Sequence, residues 1–314
     1  MHRMPIRVLA FLVCLLVLMS GAPTRAVEGP PLAMSPAALE GSLACPGPFD
    51  DAAHEPVLLV HGTFVNGRIN WSWGYIPALE SLGFDVCTVD LPNNGLDDVQ
   101  VASEVVVHAV RRIAEMSGEK VDVLGVSQGG IEPRWAVKWW PDVQASVDDL
   151  VMLATPNHGS YSKPRWPMQC FPSCWQMARG SNFLAALNRT DETPGAVSYT
   201  SIYTLFDELV SPIPDTTSAL AGASNILIQD VCPGRPVDHL FISGDAVAYA
   251  LALDAFTHPG PADPARFDPT TCQQIGMPGN DPSAGWDPVM DELTSGGPTF
   301  RWVPAEPALK SYAR

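Results

Sequence analysis

The chain has 314 residues, 46% of them hydrophobic and only 17% charged, so it can bury a substantial core as one large domain or two small ones. Lys and Arg number 18 against 34 Asp and Glu, a formal net charge of −16. Such a surface is repelled by nucleic acid and by anionic membrane faces, and it suits neutral or uncharged substrates.

The first 26 residues stand apart. Arg3 and Arg7 make a positive start, Val8 to Met19 is an apolar run, and Thr24-Arg25-Ala26 ends on a small residue suited to cleavage. The run is too short to span a bilayer, which takes about 20 residues. The pattern predicts a secretory signal peptide over 1–26, a mature chain over 27–314 that folds as one domain, and a secreted, extracellular protein. The leader holds three arginines (Arg3, Arg7, Arg25) and no acid, so the remainder is more acidic still. Apart from Cys14 in the leader, the cysteines are Cys45, Cys87, Cys170, Cys174, Cys232 and Cys272. An even set in a secreted chain points to three disulfides, but spacing does not choose their pairing. No Cys-x-x-Cys and no histidine cluster accompanies them, so no metal is expected. Asn70-Trp71-Ser72 and Asn188-Arg189-Thr190 are glycosylation sequons.

Val57-Leu58-Leu59-Val60 reads as a strand buried on both faces, closed by His61-Gly62. A helix is predicted over Trp73 to Leu82 and stopped by Gly83, then a strand over Phe84 to Leu91. Asp97 or Asp98 caps a long helix ending at Gly118. Its apolar positions are Val101, Ala102, Val105, Val106, Ala109, Val110 and Ile113, with Ser103, Glu104, Arg111 and Arg112 on the other side. Val121 to Gly125 is a strand, Gln128 to Trp140 a helix and Val147 to Thr155 another strand. This alternation gives an α/β fold with a mostly parallel sheet and helices on both faces. Residues 156–194, rich in Pro, Trp, Met and Gly, read as an excursion over the sheet with one short helix at Ser181 to Asn188. Strands return at Val197 to Phe206 and Ile226 to Val231, and Asp245 to Phe256 is a last apolar helix. The tail from about 257 to 314 is expected to wrap the surface.

Gly125-Val126-Ser127-Gln128-Gly129 sits between a buried strand and a helix. Glycines on either side permit a sharp turn that exposes a serine at the top of a sheet, above the positive end of the next helix. A serine nucleophile needs a base and an acid that orients it, here in the chain order Ser, acid, His. The histidines after Ser127 are His158, His239 and His258. Asp207 follows a strand-like run, with Glu208 as a rival, and His239 lies on the loop after the next strand. That order yields Ser127, Asp207 and His239. An oxyanion would be held by the Gln128 N–H and by Thr63, on the loop after the first strand. Val126, Asn157 and His158 are candidates for the substrate-binding wall. Tyr161, Trp166, Met168, Phe171, Trp175 and Met177 could cap an acyl groove or simply pack on the sheet.

His61-Gly62-Thr63, GVSQGG, the YTLFDELVSP stretch around Asp207 and CPGRPVDH ending at His239 together resemble the α/β-hydrolase lipases and esterases, from about Cys45 to Cys272. The resemblance implies an α/β-hydrolase fold, a Ser127–Asp207–His239 triad and an oxyanion hole of Thr63 and Gln128. It also implies disulfides Cys45–Cys87 and Cys232–Cys272, leaving Cys170 to pair with Cys174. Two features depart from the pattern. Val126 stands where a yeast member of the family carries Trp, so the pocket floor on the alcohol side is expected to differ. The excursion with its own cysteine pair leaves lid behaviour open. The expected activity is serine-dependent hydrolysis of small-molecule or lipid esters without a cofactor, by a monomer that touches a lipid interface at most transiently. The competing readings are a polyester depolymerase or acyltransferase with the same triad, or a catalytically silent binding protein.

Overall fold

The apolar runs assemble as a parallel sheet because each has two faces to bury. The computed structural model describes residues 29–47, 49, 54–162, 169–210, 217–281, 283 and 286–314. The leader expected at 1–26 lies outside them, as do Trp166 and Met168 of the excursion. In chain order the strands are β1 (Leu43–Ala44), β2 (Val57–Val60), β3 (Val86–Val89), β4 (Val121–Val126), β5 (Val147–Leu153), β6 (Ser160–Ser162), β7 (Ala178–Arg179), β8 (Ser198–Tyr203) and β9 (Ser224–Leu227). Seven form the main sheet in the order β1-β3-β2-β4-β5-β8-β9, all parallel except the edge strand β1. The excursion carries the small ribbon β6–β7.

Alternate residues go to opposite faces. Leu58, Val60, Val121, Val123, Leu150 and Met152 join one core, under the long helix Val99–Ser117. Val57, Leu59, Leu124, Val126, Val151 and Leu153 join the other, under the helix Ala246–Thr257. A strand buried on both faces has no solvent side to carry polar residues, which is why β2 reads as an unbroken apolar run and why β4 and β5 keep their acids to their amino-terminal ends.

The expected elements form, with differences that have physical causes. Asp98 caps the long helix by accepting from the Gln100 N–H, and Gly118 ends it at φ 74°. Ser103 and Glu104, expected on its solvent side, are buried instead. Residues 29–35 fold back over this helix, and Glu104 accepts from the N–H groups of Ala33 and Met34 at 2.5 and 2.8 Å, while the Ser103 hydroxyl donates to the Val99 carbonyl at 2.7 Å. The helix expected over Trp73 to Leu82 forms as Tyr75–Glu80, and a further short helix, Gly67–Trp71, precedes it, with the chain turning at Gly74 against Met277. The run Ile226 to Val231 is strand only to Leu227 and then a turn of helix, Ile228–Val231. The tail does more than wrap: it contains a helix, Trp286–Ser295. Disulfides join Cys45 to Cys87, Cys170 to Cys174 and Cys232 to Cys272.

The chain leaves β2 for β3 on one side, then crosses back to place β4 on the other. The carboxyl ends of β2 and β4 therefore open the crevice where such sheets bind ligands. At the opposite edge of the sheet lies an acidic group. Glu55, Asp122 and Asp148 each bring a carboxylate oxygen within 4.8 Å of the others, and Lys120 donates to Asp148 at 2.5 Å. Two residues of β5, Asp148 and Asp149, stand opposite one of β4 here. Burial, helped by the charges of Asp148 and Glu55, pushes Asp149 up to about 8. Burial also raises Asp122.

A carboxyl whose folded pKa exceeds its unfolded value binds its proton better when folded, so stability falls as pH rises from about 4 to about 8. The melting temperature is expected to drop across that interval. Asp149→Asn should melt at a higher temperature than wild type at pH 8, with a much smaller difference at pH 4.5. Scanning calorimetry at the two pH values checks this; equal offsets at both would contradict the assignment.

Candidate active site

Ser127 sits at φ 55°, in the left-handed region that costs a non-glycine residue about 1–3 kcal/mol. It follows directly on β4 and opens a 3-10 turn, Ser127–Gly130, that runs into the helix Ile131–Trp139. The turn is held by the absence of side chains. A Cβ on Gly125 would fall on the Gly129 carbonyl, and one on Gly129 would fall on the Val60 carbonyl of β2. The serine is thus pressed to the top of the sheet between β2 and β4.

Three side chains far apart in sequence meet there in relay. Ser127 Oγ lies 2.9 Å from His239 Nε2, and His239 Nδ1 lies 2.8 Å from Asp207 Oδ2. A carboxylate accepts, so Nδ1 carries the imidazole proton and Nε2 is left to accept from the serine hydroxyl. Asp207 is held by its other oxygen, which accepts from the N–H groups of Leu209 and Val210 at 3.0 and 2.6 Å. Glu208 takes a separate task, accepting the backbone N–H of His239 at 3.1 Å. The imidazole is only 6% exposed and the Asp207 carboxylate 2%, so the relay is screened little by water.

Two buried residues that the sequence does not single out join the loops bearing the acid and the histidine. Gln229 accepts from Leu205 N–H at 2.9 Å and donates to the Arg235 carbonyl at 2.8 Å. It can reach both because the chain turns into helix after Leu227. Arg235 donates to Asp245 at 2.6 Å and to the Gln274 and Ile275 carbonyls at 2.7 and 2.8 Å. It ties the histidine loop to the cap of the Ala246–Thr257 helix and to the tail, beside the Cys232–Cys272 disulfide. A lone glutamine in an apolar run and an arginine inside a turn motif carry no periodic signal that marks such roles.

The loop after β2 faces the serine. A Cβ on Gly62 would lie 3.3 Å from Ser127 Cβ, and the Gly62 N–H donates to Asn70 at 3.2 Å. His61 is fully buried. Its Nε2 accepts from the Leu91 N–H at 2.8 Å, so its proton is on Nδ1, bonded to the Gly62 carbonyl at 2.7 Å. Burial lowers its pKa, keeping it neutral while it staples the ends of β2 and β3. Thr63 Oγ donates to Gln128 Oε1 at 2.6 Å, while Gln128 Nε2 donates to the Gly95 carbonyl and to Glu132 Oε1, both at 2.8 Å. A carbonyl only accepts, so Gly95 fixes which end of the Gln128 amide faces Thr63. The Gln128 N–H lies in the first turn of its helix, where no earlier helical carbonyl is available to accept it.

Asn157 and His158 are engaged by side chains of other elements. Asn157 accepts from Arg134 at 3.1 Å and donates to the Ser218 carbonyl at 2.6 Å; His158 pairs with Glu192 at 2.9 Å. Asn188, in one sequon, accepts from the same Arg134 at 2.8 Å, and Asn70, in the other, holds Gly62. Val126 is buried beneath Gly62. Of the excursion aromatics, Trp175 is buried and donates to the Val303 carbonyl at 3.0 Å. Phe171 lies edge-on to the exposed Phe64 next to Thr63, ring centroids 5.6 Å apart.

A serine elbow at a topological switch point, in relay with a histidine and an acid from later strands, defines an α/β-hydrolase. Residues 54–231 match the class 2 lipases. Lipase B of Pseudozyma antarctica is 30% identical over 254 residues, covering 77% of this chain and 73% of that one. The chain belongs to the class 2 lipase family. The crystal structure of Aspergillus fumigatus lipase B superposes with a TM-score of 0.83 at 28% identity, over 93% of this chain and 76% of that one. A mature Bacillus licheniformis lipase shares the fold at 17% identity, with a TM-score of 0.51 over 65% of this chain and 93% of that one.

Removing one partner of a buried ion pair costs about 3–5 kcal/mol. Arg235→Met is expected to lower the unfolding free energy in urea by that order. It should also lower turnover at temperatures where the variant is still folded, because His239 loses its anchor. Unchanged turnover in the folded variant would remove Arg235 from any role in placing the imidazole.

Proposed function

We propose that this protein is a secreted serine ester hydrolase, a lipase or carboxylesterase that works through an acyl-serine intermediate. Ser127 Oγ attacks the ester carbonyl carbon while His239 Nε2 takes its proton. Asp207 fixes the imidazole tautomer and stabilises the imidazolium that forms. The oxyanion is held by the backbone N–H groups of Gln128 and Thr63, preorganised donors of which each is typically worth about 100- to 1000-fold in turnover. The Thr63 hydroxyl, bonded to Gln128 in the resting site, anchors the loop. The imidazolium returns the proton to the departing alcohol. Water, deprotonated by His239, then attacks the acyl-serine, and as the carboxylic acid leaves the imidazolium returns the proton to Ser127 Oγ. No step calls for a cofactor.

The observation that carries this reading is the relay of 2.9 and 2.8 Å from Ser127 through His239 to Asp207. An apolar substrate fits the lips of the site. Phe64 follows Thr63, Leu205 and Phe206 precede Asp207, and Leu240 and Phe241 follow His239, and all five are exposed. These lips also suit brief contact with a lipid interface by a monomer. The three disulfides support export to an oxidising compartment.

Ser127→Ala is expected to fold with an unchanged melting temperature and to lose about four to six orders of magnitude in turnover on p-nitrophenyl esters. A fluorophosphonate probe should label wild type at one site and leave this variant unlabelled. Hydrolysis by the variant near the wild-type rate would refute the mechanism, and a wild type that takes no label would point to a silent binding protein. Rates on a tributyrin emulsion against a polyester film separate lipase from depolymerase.

A further inference from the structure

Behind the oxyanion donors lies a carboxyl that the mechanism does not use. Glu132 is in the first turn of the helix that follows the elbow and is fully buried. One of its oxygens accepts from Gln128 Nε2 at 2.8 Å; the other is buried with no hydrogen-bond partner. The Gln128 amide is wedged on its remaining sides. Its oxygen takes the Thr63 hydroxyl, its nitrogen also reaches the Gly95 carbonyl, and a Cβ on Gly95 would stand 3.2 Å from it. A chain of hydrogen bonds therefore runs from Glu132 through Gln128 to Thr63, the two residues to which the proposed mechanism assigns the oxyanion.

We propose that Glu132 is a positioning residue of the oxyanion hole, acting through the Gln128 side chain to hold both donor residues in place. The inference rests on the ester-hydrolase reading above. A glutamine at this position would accept the same hydrogen bond, so geometry alone does not call for an acid; what an acid adds is the ability to ionise. Burial pushes Glu132 up to about 8, with the Gln128 hydrogen bond and the helix backbone pulling the other way. The elements packed on its helix bring Glu104, His108, the Arg111–Asp142 and Arg112–Glu115 pairs and Asp122, and its own helix brings Arg134 and Lys138. None of them contributes to the shift. The carboxyl is thus neutral at pH 7 and becomes a buried anion above about pH 8. A negative charge directly behind the oxyanion hole opposes the negative charge that develops in it, and low dielectric strengthens that opposition. Turnover should therefore decline as pH rises through about 8, by the loss of Glu132's proton.

The test compares wild type, Glu132→Gln and Glu132→Leu on p-nitrophenyl butyrate from pH 6 to 10, with fluorophosphonate titration giving the active fraction. Glu132→Gln keeps the hydrogen bond and cannot ionise. It should keep kcat within about twofold at pH 7 and lose the decline near pH 8. Glu132→Leu removes the acceptor and should lower kcat about tenfold with KM little changed. Asp149→Asn, which alters the other acid raised to about 8, lies at the far edge of the sheet and should retain the decline. As a readout independent of turnover, the side-chain amide resonance of Gln128 should titrate near pH 8 in wild type and not in Glu132→Gln. A decline that persists in Glu132→Gln, or full kcat in folded Glu132→Leu, overturns the proposal. Should Glu132→Leu fail to fold, the pH profile of Glu132→Gln decides. A wild type that takes no label refutes the hydrolase reading itself, whereas labelled variants with unaltered profiles refute only the role of Glu132.

Discussion

Everything at the top of this sheet depends on how closely the turn after β4 approaches β2. The carbonyls of Val60 and His61 occupy the space where a side chain on Gly129 would be, and the Gly129 carbonyl occupies that of Gly125. This contact forces Ser127 into a left-handed conformation, and the packed strands on either side sustain that strain. It also sets the serine against Gly62, so one compression fixes both the candidate nucleophile and the loop that faces it. A methyl group at either glycine would separate them by more than hydrogen bonds could recover.

Around that contact the polar groups are arranged so that few have a choice of partner. His61 must present Nε2 as an acceptor because a backbone N–H points at it. Gln128 must turn its oxygen to Thr63 because the Gly95 carbonyl takes its nitrogen. Asp207 must offer Oδ2 to the imidazole because two backbone N–H groups occupy Oδ1. Preorganisation of this kind lets a site stabilise developing charge without reorienting its dipoles when the reaction occurs. The same low-dielectric surroundings strengthen the field of any charge placed beside the site.

What the sequence discloses about this arrangement follows from local regularity. The elbow is legible because two glycines and a strand-to-helix change lie within a few residues. The long helix is legible because its apolar spacing and both caps are local. Asp207 and His239 are legible because strand ends and chain order restrict the candidates. The losses share a different cause. Glu104 looks solvated until the segment from residue 29 to 35 returns to it. The run after Ile226 looks like strand because its composition is apolar, yet the chain bends so that Gln229 can join the loops on either side. The partners of Asn157 and His158, Arg134 and Glu192, likewise come from other elements. Such partnerships are set by tertiary contact and leave no period in the sequence.

The family match ends at residue 231, yet much of what steadies the site lies beyond it. His239 itself does, with the Arg235–Asp245 clamp and Cys272. So does the tail. Glu292 accepts from Asn66 at 3.0 Å and from Asn94 at 2.7 Å, and Thr299 exchanges two hydrogen bonds with Asn93. Phe64 donates its N–H to the Asn94 carbonyl at 2.9 Å, so the loop bearing Thr63 is tied to the turn that the tail clasps. Phe300 and Trp302 then stack beside Phe64 and Phe171. The loop bearing Thr63 is therefore held from behind by the buried Glu132–Gln128–Thr63 chain and from outside by residues 292–302 of the tail. Rigidity from two directions is what a loop must have if its N–H groups are to meet a charge that exists only in passing.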